Sequence, residues 1–218
     1  MKKGQKKKLD KALKKRAKDK LDRRPAPAAA PVAALYHIRQ ARNYPLEGCW
    51  AMRTWKDNGL TIVVVARRQP NGSIAFGNYL VDYYCLGVKD AYCNAEIPPG
   101  EFRRDYLTKI FRGEKPIEIS PALAHELIYG SIEYAAQFGF KPHRDFKLAQ
   151  HILDPADAHP SSGQVTFGKD GKPFFIAGPY DNVDAVVRQL LRTAGADNFN
   201  YLVPLSPPDE FFEIGDAI

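Results

Sequence analysis

Apolar residues between Leu46 and Tyr83 come in three short runs separated by turn-forming residues. Tyr36 to Arg42 opens this part of the chain and leads into Leu46 to Met52, which reads as a first strand. After Lys56-Asp57-Asn58-Gly59 comes Leu60 to Arg68, whose run Ile62-Val63-Val64-Val65 is too β-branched for a comfortable helix. Asn71-Gly72 suits a tight hairpin turn into a third strand, Ser73 to about Tyr83. The pattern thus predicts a three-stranded antiparallel meander.

A helical period follows. Glu101 to Arg112 reads as a short helix stopped at Gly113, and Ser120-Pro121 as an N-cap with proline at the first helical position. Leu123, Leu127, Tyr134 and Phe138 then recur at helical spacing, and Gly139 is placed to end that central helix. Asp145 is positioned to cap a further short helix from Phe146 to Leu153. Gln164 to Phe167 and Phe174 to Ala177 flank Asp170-Gly171 as a second hairpin. A helix capped by Asn182 or Asp184 runs through Arg192 to Gly195, and Phe199 to Val203 is a last strand. Strands, helices, hairpin, helix and strand in that order predict an α+β protein with a mainly antiparallel sheet.

Charge adds an arm to this domain. Met1 to Arg24 holds thirteen Lys and Arg against three Asp, a balance of +10, whereas everything after it sums to −3 within the chain's +7. A block of that kind calls for a polyanion, which makes RNA or DNA, the ribosome included, the expected partner. Lys6, Lys7, Lys8, Lys14, Lys15 and Arg16 are the expected phosphate contacts. Leu9, Leu13, Ala17 and Leu21 recur every four residues, so an apolar stripe would form if phosphates relieved the lysine repulsion and allowed a helix. A solvated tail that only aids solubility is the plainer alternative. Residues 25–34, rich in Pro and Ala, read as a semi-rigid spacer, residues 35–205 as one domain, and residues 206–218 as an acidic, aromatic tail open to a protein partner.

Composition narrows the setting. Cys49, Cys85 and Cys93 match neither paired zinc spacings nor an even disulfide count, and a reducing cytoplasm fits them best. No apolar run reaches bilayer length, and no h-region follows the basic start, so neither membrane insertion nor secretion is expected.

Candidate chemistry is sparse. Asp82 ends a strand among apolar and aromatic residues, where an ionised carboxylate needs a partner such as Lys89 or a backbone amide. Glu126, Tyr129 and Glu133 share one face of the central helix, so Asp82, Glu126, Glu133 and Asp145 could together hold Mg²⁺ or Mn²⁺ for phosphodiester chemistry, as a nuclease would. Acidic residues on a solvated helix face explain the same pattern. His125-Glu126 begins like a zinc-protease motif, but Tyr129 stands where the second histidine is required. His143 and His151 remain as lone candidate ligands, and Cys85 reads as a buried structural thiol. Gly168 to Pro173 lacks the ending of a phosphate loop. Lys141, His143 and Arg144 offer a second phosphate contact, while Phe140 and Phe146 beside them read as core residues fixing a turn.

The blocks Tyr79-Leu80-Val81-Asp82, Cys85 to Asp90, Ile128-Tyr129-Gly130 with Glu133-Tyr134, and Gly139-Phe140-Lys141-Pro142-His143 resemble a family of uncharacterised bacterial proteins over roughly Leu46 to Leu153. The resemblance implies a bacterial cytoplasmic protein and supplies no catalytic residue. A sheet opening with three antiparallel strands is also similar to the ribonuclease H-like fold, yet Glu47 to Met52 lacks that fold's first-strand Asp. The leading expectation is therefore a nucleic-acid-associated protein with no cofactor; a metal-dependent nuclease and a protein-interaction module are the alternatives.

Overall fold

The computed structural model describes residues 32–204. The chain divides between Leu35 and Tyr36, and the described elements, apart from the start of the first helix, belong to the second unit. The basic arm, with its leucine stripe, and the tail beyond residue 204 lie outside the described residues.

Helix α1 (Val32–Gln40) and a 3₁₀ turn (Ala41–Asn43) precede the sheet. Tyr36 to Arg42 therefore belongs to helix and turn, with Ile38 and Ala41 buried. Strands β1 (Leu46–Ala51), β2 (Leu60–Arg68), β3 (Ile74–Asp82) and β4 (Gly87–Ile97) form an antiparallel meander, and β5 (Ile117–Glu118) adds to β1, giving the order β4-β3-β2-β1-β5. The protein is thus α+β with a mainly antiparallel sheet, and the meander has four strands where the hydrophobic pattern predicts three. The missed strand is β4, whose Lys89, Asp90 and Asn94 interrupt the apolar pattern.

Both faces of β2 are covered, which explains why its β-branched run is continuous and does not alternate with polar residues. Helix α2 comprises α-helical Pro99–Glu101, π-helical Phe102–Tyr106 and α-helical Leu107–Ile110. Its Phe102, Tyr106 and Leu107 pack with Ile62, Val64, Ala66, Ile74 and Phe76 from one face of β2 and β3. The opposite face holds Val63, Val65, Arg67 and Tyr79. There Tyr79 Oη donates to Ala149 O at 2.8 Å, which fixes helix α4 (Phe146–Ala149) and the 3₁₀ turn Gln150–Ile152 against the sheet. Asp145 precedes α4 but makes no side-chain cap; the turn is built instead on the buried Phe146. Phe140 is partly buried against a second cluster, so the two aromatics act as packing residues as expected.

Helix α3 comprises α-helical Pro121–His125, π-helical Glu126–Gly130 and α-helical Ser131–Gln137. Ser120 caps it, accepting from Leu123 N at 3.2 Å, and its last segment runs beside β4.

The second hairpin does not form. Lys169 and Lys172 close a tight turn around Asp170-Gly171, but β6 (Phe174–Ile176) pairs in parallel with β7 (Asn200–Leu202). Helix α5 (Val183–Thr193), capped by Asn182, connects them. Residues Gln164 to Phe167 belong to no strand. The parallel pair needs this crossover, and α5 supplies Leu190 to a small core with Cys85, Phe175 and Phe199.

Candidate metal centre

Three elements converge where α3 meets the end of α4. His125 is the last residue of the first α-helical segment of α3, directly before the π turn. Single π turns recur at functional sites because they rotate one side chain out of the regular helical register. Asp154 follows the extended residue Leu153 after the 3₁₀ turn, and His159 lies in the loop beyond it. One ligand atom from each of His125, Asp154 and His159 lies within 4.8 Å of the other two. The two imidazoles meet edge to face with ring centres 4.4 Å apart.

Asp154 is held from behind, and the loop that carries His159 is tied to α3. Asp154 Oδ1 accepts from Arg67 Nη2 at 2.6 Å, and Asp154 Oδ2 lies 3.0 Å from His159 Nε2. Arg67 projects from β2 and is itself buried. Its Nε donates to Ile152 O at 2.9 Å and its Nη1 to Tyr44 O at 3.1 Å, so its guanidinium is fixed by backbone as well as by the carboxylate. Tyr129 Oη donates to the Asp154 carbonyl at 3.2 Å. Glu126, next to His125, fastens the loop to the helix: Ser161 Oγ donates to Oε1 at 2.8 Å, and Ser162 Oγ donates to Oε2.

Electrostatics set the protonation states. Burial lowers the His125 pKa to about 4, with the neighbouring His159 and Arg67 acting in the same direction, so this imidazole is neutral at pH 7. Burial pushes the Asp154 carboxyl up, but hydrogen bonds from His159 and Arg67, with the Arg67 charge, outweigh it and leave the pKa lowered. Glu126 is lowered in the same way: its Ser162, Ser161 and Gln164 donors more than offset burial. Two imidazoles and one carboxylate form a donor set suited to zinc-like ions.

The residues singled out in the sequence are distributed elsewhere. Asp82 is buried at the end of β3, where Oδ1 accepts from Tyr84 N at 3.1 Å and Cys85 N at 2.9 Å, closing the turn into β4. Lys89 pairs with Asp181 at 2.6 Å. Burial lifts the Asp82 pKa to about 6, against the opposing pull of Lys89 and the two amides. Glu133 is exposed on α3, and Asp145 is exposed before α4. Among the described residues, neither three-residue ligand set contains Asp82, Glu126 or Glu133, so the four carboxylates are not gathered around one ion. Asp145 belongs to the second set, with Asp90 and His143, where His143 Nδ1 stands 3.4 Å from Asp90 and 3.7 Å from Asp145. Arg144 leans on Asp145 at 3.6 Å, and Lys141 is exposed. Cys85 is buried and its thiol pKa is raised by burial, as a packing role requires.

Asp154 and His159 escape a reading of the sequence because they lie on a loop without periodicity. Half the signal is present in His125-Glu126: the second histidine comes from the distant loop, not from the next turn of the helix. No family model matches the chain, and no curated protein or solved structure matches it significantly.

Proposed function

We propose that the protein acts at a nucleic acid or ribonucleoprotein, to which its N-terminal arm anchors it. One observation carries this reading: +10 of formal charge in Met1 to Arg24 against −3 over the rest of the chain. A lysine-rich block binds phosphates by releasing their condensed counterions, which makes such binding strongly dependent on salt. Of the second expected contact, His143 stands near Asp90 and Arg144 near Asp145, so the proposal rests on the arm.

The test compares the full chain with a full-length variant carrying Gln at Lys6, Lys7, Lys8, Lys14, Lys15 and Arg16. Fluorescence anisotropy against single-stranded and duplex RNA and DNA across a salt series gives the affinity and its salt slope. The expected result is tight binding at low salt that weakens steeply with salt, with lower affinity and a shallower slope in the variant. Absence of wild-type binding at low salt, or equal slopes for the two proteins, rules the reading out.

A further inference from the structure

We propose that His125, Asp154 and His159 bind a divalent transition-metal ion of the zinc type, with solvent completing the coordination. This inference stands apart from the nucleic-acid reading and uses none of the arm.

The first ground is convergence. The three ligand atoms already lie within 4.8 Å of one another. Bonds of about 2.0–2.2 Å to a tetrahedral ion place ligand atoms roughly 3.5 Å apart, so a modest contraction suffices. The second ground is His125 itself. It is 6% exposed, and its Nδ1 has no hydrogen-bond partner among the described residues. Buried polar atoms are normally satisfied, and one left without a partner in a native structure calls for an explanation such as an ion or a water. The surrounding polar groups are engaged: Arg67 donates to Ile152, Tyr44 and Asp154, and Tyr129 donates to Asp154. The orphan therefore belongs to a side chain of the ligand set itself, beside a network in which Arg67, Asp154 and Tyr129 are engaged.

The third ground is the support behind the ligands. Metal-binding side chains are oriented by outer hydrogen bonds, and here Asp154 has one directly while the loop that carries His159 is held by others. Arg67 occupies Asp154 Oδ1, so Oδ2, which lies 3.0 Å from His159 Nε2, is the oxygen that would turn to the ion, and the ion would replace that contact. Glu126 holds Ser161 and Ser162 and so fixes the loop that carries His159. The side chains of Asp154 and His159 are 27% and 26% exposed, so the site opens to solvent on their side while His125 closes it from within. Two imidazoles exclude magnesium and calcium as preferred occupants, because those ions take oxygen ligands. The Arg67 charge opposes any cation, so nitrogen ligation must supply the affinity. Three protein ligands with an open solvent position match the arrangement of zinc sites that exchange a ligand, not of closed structural ones.

The experiment titrates zinc, and separately cobalt(II), into full-length protein stripped with a chelator, reading heat of binding and the cobalt absorption spectrum. The expected result is one ion per chain, with a visible cobalt spectrum indicating nitrogen ligation. His159→Ala removes a ligand from a partly exposed loop and should weaken zinc binding at least tenfold while leaving circular dichroism unchanged. Asp154→Asn should do the same. His143→Ala, in the second cluster, should leave binding intact. Failure of the wild type to bind either ion overturns the proposal, as does binding that survives in His159→Ala or disappears in His143→Ala.

Discussion

Asp82 shows how a residue conspicuous in sequence can serve the turn it ends. Its carboxylate is buried and its pKa is raised from 3.8 to about 6, chiefly by burial. The folded state therefore holds this proton more tightly than the unfolded chain does, and the site's contribution to stability falls as pH rises through the interval between those two values. A shift of two units corresponds to about 3 kcal/mol. Asp82→Asn retains an acceptor oxygen for the Tyr84 and Cys85 amides, so the variant should gain stability over the wild type by up to about 3 kcal/mol between pH 4 and pH 7. Urea denaturation at both pH values checks this; a variant less stable at pH 7 would mean that the ionised carboxylate helps the fold. Glu126 works in the opposite sense, as an ionised clamp. Glu126→Ala should cost about 1–2 kcal/mol and speed amide exchange in the Ser161–Gln164 loop, leaving the Ser131–Gln137 segment protected. Both carboxylates were visible in the sequence as residue types. A backbone amide could be named as a partner for Asp82, and Tyr84 and Cys85 supply two; the partners of Glu126 could not, because Ser161 and Ser162 meet it only after the loop folds back.

At the scale of elements, periodicity located the sheet and the helices where burial is one-sided or continuous. The β2 run and the Ser120 cap could be read directly, and Asn182 was one of the two candidates for the cap it supplies. What periodicity could not register was β4, whose polar interruptions fall where the strand borders α3 and α4, and the parallel pairing of β6 with β7, which depends on a crossover helix. The two π turns were equally illegible, since each inserts one residue without altering composition. The hairpin from β3 to β4 gives an element-scale test. Gly87 has φ +74°, and a Cβ there would stand 3.1 Å from Ala135 Cβ and from Ser131 O; Gly72 has φ +86° with nothing within 4 Å. Gly72→Ala should lose about 1 kcal/mol from backbone strain alone. Gly87→Ala should lose about 1–2 kcal/mol more, because α3 must yield as well. Equal denaturation midpoints for the two variants would show that α3 accommodates the methyl group freely.

For the whole molecule, segregation of charge was legible from the first residues, whereas the His125–Asp154–His159 set was not, because it joins positions that only the tertiary fold brings together. In the salt series, each phosphate that the arm no longer neutralises should reduce the slope by about 0.9 on duplex DNA, so replacing six cationic residues gives a change large enough to measure. No helix among the described residues is long and apolar enough to cross a membrane. Arg67 has a consequence in time as well as in space. Its guanidinium joins a strand of a locally connected meander to Ile152 and Asp154, 85 and 87 residues away in sequence. Pairings between neighbouring strands close short loops and can form early, whereas a tie of that span must await the docking of α4. Truncating Arg67 should therefore act mainly after the rate-limiting step: a chevron of Arg67→Ala is expected to show faster unfolding with a nearly unchanged refolding limb. The bond that locks the centre in place would then govern how long the native state lasts, and have little influence on how quickly it is reached.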